Sequence, residues 1–293
     1  MEKLRLRRSA RRDSERIEEL VYDHYFRLVP PLEGFKREGD LVCKKIVDKD
    51  GKIIAGCGGY IYPWGAMYVD DMWVDENYRR QELGSHALQA TEKTAEERGC
   101  YLIWLGTWDF QARPYYEKHG YQVFAAIKDS PKGHMDYNLF KLVDKNAPKR
   151  QLKPIDYQVL DGDEEDEGYI GEQLDEGFNN KHLDIKHDYI KINRKFVNEE
   201  GKVVAAIMAG VSECDVGWIW KIWVDEPYRH HGLGSRLIKH FEKKAKEKGA
   251  TKVLSEDIYD WNLGFFLHNG YQTVGELKDF PRGHSFFIVE KDL

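Results

Sequence analysis

The chain has 293 residues, of which 41% are hydrophobic and 33% charged, and its formal net charge is −6. That length accommodates two domains with separate apolar cores. The net negative charge excludes a general electrostatic footprint for nucleic acid. No apolar run approaches the roughly 20 residues that a membrane span needs, and the arginine-rich start has no hydrophobic core behind it. We therefore expect a cytoplasmic protein that binds neither nucleic acid nor membrane, as a monomer or a homodimer.

Cysteine and histidine spacing argues against disulfides and metal sites. No CxxC pair occurs, which favours reduced thiols. His134 and His284 recur in PKGH and PRGH segments without a second ligand at suitable spacing, so we expect no metal. Each histidine either stabilises a turn or contacts a substrate. The four cysteines are Cys43, Cys57, Cys100 and Cys214.

The sequence repeats itself at an offset of 150 residues. Trp73–Leu88 reads WVDENYRRQELGSHAL and Trp223–Ile238 reads WVDEPYRHHGLGSRLI. The two copies align without insertion from residue 51 to residue 143, so the pattern indicates duplicated domains rather than a short-period solenoid. A polar segment with two prolines is the natural linker. The predicted organisation is repeat one, the linker and repeat two, at residues 1–143, 144–154 and 155–293.

Both repeats predict the same order of elements. A charged helix opens each one, at Asp13–Phe26 and Asp163–Phe178. Two strands follow, and then an apolar strand, YVDDMWV or GWIWKIWV, leads into a glycine-containing loop. A helix of about 15 residues ends at Gly99 or Gly249. A strand, a short helix ending in HGY or NGY, and a last strand complete the unit. The prediction is α/β (α+β): two mixed-sheet domains flanked by helices.

The loop between the apolar strand and the long helix is suited to holding a phosphate. In repeat two it reads RHHGLG, and its glycines let the backbone approach a ligand closely. Successive N–H groups and the positive end of the helix dipole then form a cradle for a pyrophosphate. The loop matches neither a Walker motif nor a dinucleotide-binding fingerprint. Close packing of helix on strand is the alternative explanation for Gly84 and Gly234.

The phrase WVDExYRxxxLGSxxL, which both repeats share, is followed in repeat one by FQARPYYEKHGYQVF and KDSPKGH. The Arg/Gln-x-x-Gly-x-Gly/Ala pattern of the loop, with these segments in this order, resembles motif A and the later segments of the GNAT superfamily of acyl-CoA N-acyltransferases. The resemblance covers most of both repeats and implies two GNAT domains in tandem, acetyl-CoA (coenzyme A) as the acyl donor, and an amine acceptor. It also implies coenzyme-binding positions at the strand end, in the loop and at the helix start. These are Met72, Trp73, Val74, Arg79, Arg80, Gln81, Glu82, Leu83, Gly84, Ser85, Ile222, Trp223, Val224, Arg229, His230, His231, Gly232, Leu233, Gly234 and Ser235.

The repeats differ at one position of this loop. Glu82 stands where repeat two has Gly232, and a carboxylate near a pyrophosphate is electrostatically unfavourable. The backbone amide remains, so Glu82 weakens coenzyme binding in repeat one without excluding it. A surface glutamate favoured by the helix dipole is the alternative.

The acid–base residues implied by the resemblance diverge in the opposite direction. In the family, a tyrosine in the pattern Tyr-x-x-x-Gly-Phe/Tyr commonly acts as the acid, and a carboxylate on the preceding strand often acts as the base. Repeat one retains Tyr116, Asp70 and Asp71 as candidate catalytic residues, whereas repeat two has Phe266 and no acidic pair. Strand alternation predicts opposite faces for Asp70 and Asp71, with only one facing the acceptor. Core packing of Tyr116 and solvation of either carboxylate are the alternatives.

We therefore predict that repeat one is the catalytic half. Repeat two is then a degenerate partner, a structural half, or a second site that works through Glu256 or Asp257. The resemblance places the thioester where Met72–Val74 parts from the strand that starts near Leu105. A bulge there would free a backbone N–H for the thioester carbonyl.

The predicted function is transfer of an acetyl group from acetyl-CoA to a primary amine of a small, cationic molecule. The segment DGDEEDEGYIGEQLDEGF, from Asp161, is either an acidic wall for a cation or an acid-rich helix start. Two alternatives remain open: a coenzyme-binding regulatory protein, and an acetyltransferase of protein lysines or N-termini. Five aromatic residues either line an acceptor pocket or belong to the core: Tyr60, Tyr62, Trp64, Trp108 and Phe110.

Overall fold

A computed structural model describes residues 4–37, 39–146, 150–179, 189–212 and 215–293. Cys43, Cys57 and Cys100 are free and buried, and Cys214 lies outside the described residues. Part of the predicted linker, residues 147–149, also lies outside them. Among the helices in the described ranges, none has both the length and the apolar character required to span a bilayer.

Six helices form in the described ranges, and the two central ones have the predicted length. Each of these two has 15 residues and stops just before a glycine in the left-handed region, Gly99 (φ 88°) or Gly249 (φ 94°). The helices are α1 (Arg11–Leu28), α2 (Leu83–Glu97), α3 (Arg113–Lys118), α4 (Glu164–Asn179), α5 (Leu233–Glu247) and α6 (Asp260–His268).

The predicted strands form, and five more accompany them in the described ranges. Three of these are short, β1, β8 and β9, and the other two arise because two strands instead of one follow the short helix of each repeat, β6 with β7 and β14 with β15. The strands are β1 (Arg5–Arg8), β2 (Asp40–Val47), β3 (Ile53–Tyr62), β4 (Ala66–Val74), β5 (Leu102–Trp108), β6 (Gln122–Lys128), β7 (Met135–Leu142), β8 (Val159–Gly162), β9 (Tyr189–Lys191), β10 (Arg194–Val197), β11 (Val203–Ser212), β12 (Val216–Val224), β13 (Lys252–Tyr259), β14 (Gln272–Lys278) and β15 (Ser285–Asp292). The predicted mixed α/β class is confirmed.

The chain forms two compact units, named here after their exchanged helices. The α1 unit comprises Met1–Pro30, Ala125–Asp136 and Lys186–Leu293. The α4 unit comprises Pro31–Phe124 and Tyr137–Ile185. The boundaries at 144–154 describe the repeats in sequence, whereas the compact units are composed of non-contiguous segments.

The α1 unit is built on strands in the order β1-β10-β11-β12-β13-β15-β14, with β9 also beside β11. β12 and β13 are parallel, and the neighbouring pairs are antiparallel. Helix α5 buries Leu233, Leu237 and Phe241 at helical spacing against this sheet, because a stripe of apolar residues every three to four positions faces the core.

The α4 unit contains strands in the order β8-β2-β3-β4-β5-β7, and β4 and β5 are its parallel pair. Helix α2 buries Leu83, Ala87 and Leu88 against the core of this unit. Ile170 of α4 fits over Gly56 of β3, where an added Cβ would lie 2.1 Å from the Ile170 side chain. The glycine therefore makes room for the helix.

Each unit takes its opening strand and helix from the other repeat. β1 and α1, from repeat one, pair and pack with β10 and β12. β8 and α4, from repeat two, pair and pack with β2 and β4. In each unit, the helix that flanks the apolar strand therefore comes from one repeat and the strand itself from the other.

Candidate active site

The loop of repeat two has an open backbone at its first glycine. Gly232 caps α5 with φ 74°, and a Cβ added there would meet no atom within 4 Å. His230 also lies in the left-handed region, with φ 62°. The glycine therefore serves backbone conformation, and the first N–H groups of α5 have no acceptor within the helix.

Packing explains the second glycine of each loop. A Cβ on Gly234 would lie 2.9 Å from the ring of Phe265, and one on Gly84 would lie 3.1 Å from Val74. The alternative raised from the sequence, close packing, accounts for these two positions.

The first arginine of each loop holds the loop to the strand that precedes it. Arg79 Nε donates to the carbonyl of Val74 at 3.1 Å, and Arg229 Nε donates to the carbonyl of Val224 at 3.0 Å. His231 lies with Nδ1 at 2.7 Å from the Arg229 carbonyl oxygen. These side chains shape the loop from within.

A cleft of about 590 Å³ opens beside the repeat-two loop within the α1 unit. Its volume is typical of a small-molecule site. Nearly all of the repeat-two positions predicted for coenzyme binding line it, His231 being the exception: Ile222, Trp223, Val224, Arg229, His230, Gly232, Leu233, Gly234 and Ser235.

Helix α1 forms the facing wall of this cleft through Val21, His24 and Tyr25. Burial lowers the pKa of His24, and the charge of Arg229 lowers it further, so the imidazole is neutral near pH 7. The Tyr25 hydroxyl accepts a hydrogen bond from Asn262 Nδ2 at 3.3 Å and lies 3.4 Å from the Asp257 carbonyl oxygen. The sequence did not reveal these residues, because α1 belongs to the other repeat.

The predicted splay between parallel strands is present in both units. Pairing of β4 with β5 is found from Ala66 to Tyr68, and pairing of β12 with β13 from Val216 to Ile219. Both pairings end before the residues that lead to the loop. Backbone groups beyond this point are therefore available to a ligand.

A β-bulge lies on each of these strands, two residues before the position named from the sequence. The register with the neighbouring strand shifts by one residue at Asp70 in β4 and at Trp220 in β12. The bulge also corrects the prediction that Asp70 and Asp71 point to opposite faces. Their carboxylates and that of Glu167 lie within 4.8 Å of one another, because the extra residue breaks the two-residue alternation.

This carboxylate group changes the acidity of Asp71. Burial is the largest cause of a raised pKa at Asp71, and the charges of Asp70 and Glu167 add to it. Together these effects raise the pKa of Asp71 to about 7. An added Cβ on Gly171 of α4 would lie 2.8 Å from the Asp71 carboxylate. Asp71 therefore lies under α4 in the α4 unit.

Tyr116, the predicted acid, lies in the core of the α4 unit with 7% exposure. Burial raises its pKa, with smaller contributions from Cys57, Tyr115 and Asp71. Its neighbour Tyr115 is the one closer to the loop: its hydroxyl would lie 3.5 Å from a Cβ on Gly84, and its ring lies 4.6 Å from that of His119.

Repeat one surrounds its loop differently. Glu82 caps α2 with φ 66°, the conformation that Gly232 adopts in repeat two. Its carboxylate pairs with Arg150 Nη2 at 3.2 Å. Leu83 is buried in the core, and Ser85 Oγ lies 3.1 Å from Nε2 of His119.

The other predicted positions of repeat one have local roles. Met72 and Val74 pack against the core, and Trp73 packs in a cluster with Ile170 of α4. Gln81 Nε2 lies 3.4 Å from the carbonyl oxygen of Asn77. Arg80 takes φ 63° and is exposed.

The α1 unit has its own group of carboxylates beyond the end of the β12–β13 pairing. Burial, and to a smaller extent the charges of Asp136 and Asp257, raises the pKa of Glu256 to about 8. Burial also raises the pKa of Asp136 to about 7, against the lowering effect of a hydrogen bond with Ser130. Lys221 neutralises Asp257 through an ion pair. Glu256 is thus a carboxyl group that changes protonation state near neutral pH.

The remaining sequence candidates have mainly local roles. Asp163 accepts from the amides of Glu165 and Asp166 at 3.0 Å, so the acidic segment caps α4 as a helix start. Lys45 pairs with Asp166 at 2.6 Å. His284 Nδ1 lies 3.0 Å from the Asp260 carboxylate.

The five aromatic residues of repeat one named from the sequence differ in burial and in their neighbours. Trp64 is 3% exposed and belongs to the core, whereas Tyr60 is 38% exposed. The Trp108 and Phe110 rings lie 5.4 Å apart, and the Tyr62 ring lies 5.0 Å from that of Trp104.

The cleft of the α1 unit fits coenzyme A. The open amides at Gly232 and the helix dipole of α5 suit the pyrophosphate, and Ile222, Trp223 and Val224 supply an apolar wall for the rest of the donor. When bound, the coenzyme supplies an activated acetyl thioester; the amine and the protons must be handled by residues of this chain.

Comparison with known proteins identifies the family of the chain. The model of the acetyltransferase (GNAT) family matches residues 6–121 and 159–271. Blasticidin-S acetyltransferase from Streptomyces morookaense is 38% identical over 92 residues, which is 31% of this chain and 67% of that protein.

Solved structures of acetyltransferases are also similar to parts of the chain. One from Bacillus cereus is 31% identical and has a TM-score of 0.44, covering 47% of this chain and 96% of its own. PaiA N-acetyltransferase from Thermoplasma acidophilum, in complex with coenzyme A, is 17% identical with a TM-score of 0.31, covering 45% of this chain and 80% of its own. The two matched regions of the family model establish that the chain belongs to the GNAT family and is an acyl-CoA-dependent N-acetyltransferase whose donor is acetyl-CoA.

Proposed function

We propose that the protein transfers an acetyl group to a primary amine of a small cationic molecule, in the cleft of the α1 unit. The observation that carries this proposal is the cleft itself: about 590 Å³ of space joins the open repeat-two loop to the wall formed by α1. Donor and acceptor would meet between these two surfaces, next to the end of the β12–β13 pairing.

Glu256 is the proposed base. An amine attacks a thioester only when it is unprotonated, so an ammonium group must first lose a proton. A base is most effective when its pKa lies near the working pH, and the pKa of Glu256 is raised to about 8. Glu256 would accept the ammonium proton, directly or through one water.

The preference for a cation follows from charge and aromatic surfaces near this site. Glu256 and Asp136 are both buried enough to have raised pKa values, and an ammonium group would stabilise their ionised forms. Trp261, which lines the cleft, stacks on Tyr259 at 4.4 Å, and aromatic faces attract cations. The name of the Streptomyces relative, blasticidin-S acetyltransferase, points to an antibiotic as one kind of acceptor to test.

Repeat one remains the second candidate for the chemistry. The raised pKa of Asp71, about 7, suits a base, and Asp71 is one of the charges that raise the pKa of Tyr116. The prediction that repeat one is catalytic therefore stays a prediction. The geometry gives more support to the α1 unit, because its donor loop opens onto a cleft.

The proposal is tested by measuring the release of free thiol from acetyl-CoA in the presence of each member of a panel of small amines and of antibiotics that carry a primary amine. We expect turnover that falls steeply in Glu256→Gln, with Asp71→Asn as the matched carboxyl-to-amide change in the other unit. Loss of turnover in Asp71→Asn with an active Glu256→Gln would return the chemistry to repeat one.

The same panel addresses the other two functions raised from the sequence. Coenzyme binding without thiol release for any amine would favour a regulatory protein. Acetylation of peptide lysines or N-termini in preference to small amines would favour a protein acetyltransferase.

A further inference from the structure

The donor loop of repeat one is covered by a segment of the same chain. Residues 150–157, called the strap here, comprise the last part of the predicted linker and the residues that follow it, just before β8. They lie in the α4 unit together with the loop and α2. The strap contacts this loop through an ion pair, backbone carbonyls and an aromatic ring.

Arg150 forms the charged contact. Its Nη2 lies 3.2 Å from Oε1 of Glu82, and its Nη1 donates to Nε2 of His119 at 3.0 Å. Burial, and to a smaller extent the charge of Arg150, lowers the pKa of His119 to about 4. The imidazole is therefore a neutral acceptor for the guanidinium. Glu82 brings its own carboxylate to the helix start where a bound phosphate would otherwise supply the negative charge.

Two carbonyls of the strap accept hydrogen bonds from the first turns of α2. Gln89 Nε2 donates to the carbonyl of Arg150 at 3.0 Å. His86 Nε2 lies 2.8 Å from the carbonyl oxygen of Lys153. These contacts fix the strap backbone along the helix that begins at the donor loop.

The end of the strap is held by apolar packing. Ile155 and Tyr157 pack against the core of the α4 unit, and the Tyr157 ring lies edge-on to that of Tyr78 at 6.1 Å. Tyr78 immediately precedes the loop. The strap is thus attached on both sides of the position that a pyrophosphate would take.

The corresponding positions of repeat two lack these side chains. An offset of 150 residues places Gly232 opposite Glu82, Arg236 opposite His86, and Asn269 opposite His119. Arg236 instead lies over the Phe196 ring at 4.6 Å. The polar side chains that hold the strap are therefore specific to repeat one, whereas Tyr78 has Tyr228 as its counterpart.

We propose that the strap is the resident occupant of the repeat-one donor loop, so that each chain binds one coenzyme A molecule, at the loop Arg229–Ser235. Repeat one then contributes α1 to the cleft of the α1 unit and holds its own loop closed. This inference rests on the proposed function for the location of the donor, and it adds the stoichiometry and the reason for it.

Calorimetric titration of the full-length chain with coenzyme A tests the proposal. We expect one molecule per chain and loss of binding in Gly232→Glu. Glu82→Gln and Arg150→Ala should each leave the dissociation constant within about twofold of the wild-type value. Two molecules per chain, or a tenfold or larger loss of affinity in either of these two variants, would overturn the strap assignment.

Thermal unfolding provides a second readout that does not depend on the coenzyme. Arg150→Ala should lower the melting temperature, and the effect should be smaller in a Glu82→Gln background because the ion pair is already lost. Lys153→Ala is the matched control, since Lys153 contacts α2 through its carbonyl and its side chain is exposed. Equal effects of the two substitutions would argue against an anchored strap.

The two proposals fail in different ways. A second bound coenzyme, with catalysis still dependent on Glu256, refutes the strap alone. One bound coenzyme that survives Gly232→Glu places the donor in repeat one and refutes both.

Discussion

Gly232→Glu reproduces in repeat two the substitution that repeat one already carries at Glu82. Gly232 has φ 74° and no atom within 4 Å of an added Cβ, so the side chain can be accommodated. The backbone conformation costs roughly 1–2 kcal/mol for a residue other than glycine. We therefore expect the variant to fold with a modestly lower melting temperature.

The effect on coenzyme binding should be larger than a structural change explains. A carboxylate about 4 Å from a phosphate oxygen is repelled by roughly 1 kcal/mol in bulk water and about 4 kcal/mol near a protein surface. These free energies correspond to a roughly 5- to 1000-fold higher Kd. Added salt should reduce the difference because it screens exposed charges.

Gly232→Gln separates charge from shape. Glutamine has the same length and the same backbone strain, but it carries no charge, so it should retain most of the affinity. The measurements are the calorimetric Kd for coenzyme A and kcat/KM for acetyl-CoA. If glutamine and glutamate weaken binding equally, repulsion is not the cause; if neither does, the donor binds elsewhere.

Three further predictions concern protonation and packing. Because the pKa of Glu256 is about 8 in the free protein and the base acts in its ionised form, kcat/KM should rise with pH and reach half of its plateau near pH 8. Glu256→Gln should lower kcat roughly 10²- to 10⁴-fold, and a rise with the same midpoint in this variant would contradict the assignment. The pKa of Asp71 is raised to about 7 in the folded state, so the folded state binds the proton more tightly than the unfolded state, and stability falls as pH rises from about 4 to 7. Asp71→Asn should therefore raise the melting temperature more at pH 8 than at pH 4. A gain in melting temperature that is independent of pH would refute this reasoning. Phe241 is fully buried in the core of the α1 unit, so Phe241→Ala should lower the free energy of unfolding by about 3–5 kcal/mol in urea titrations, and a loss below about 1 kcal/mol would show that the site collapses or is poorly packed.

Periodicity and turn residues predicted the elements well because these signals are local. The two long helices have the predicted length, since an apolar stripe and a terminal glycine are both visible in sequence. Three of the strands that escaped prediction have four residues or fewer. Such short segments carry too little alternation to be recognised.

The site was predicted in part for the same reason. The loop residues of repeat two could be named as a group because they are consecutive and their glycine pattern is distinctive, and all but His231 line one cleft; their role in coenzyme binding stays a prediction. The relative orientation of Asp70 and Asp71 was wrong, since a bulge is a property of two paired strands rather than of one sequence. Glu256 was named only as one of two possibilities, because its acidity depends on Asp136, which lies 120 residues away in the chain.

The sequence by itself determined the duplication, the fold class and the position of the glycine-containing loop between strand and helix, because each depends on local spacing or on a repeated offset. Tertiary structure decided which helix flanks each sheet and which loop stays open. Exchange of α1 and α4 brings Tyr25 to the repeat-two cleft, and folding brings Arg150 to Glu82 across 68 residues. These are contacts between segments distant in sequence, and their energies depend on burial and distance in the folded chain, which no local pattern encodes.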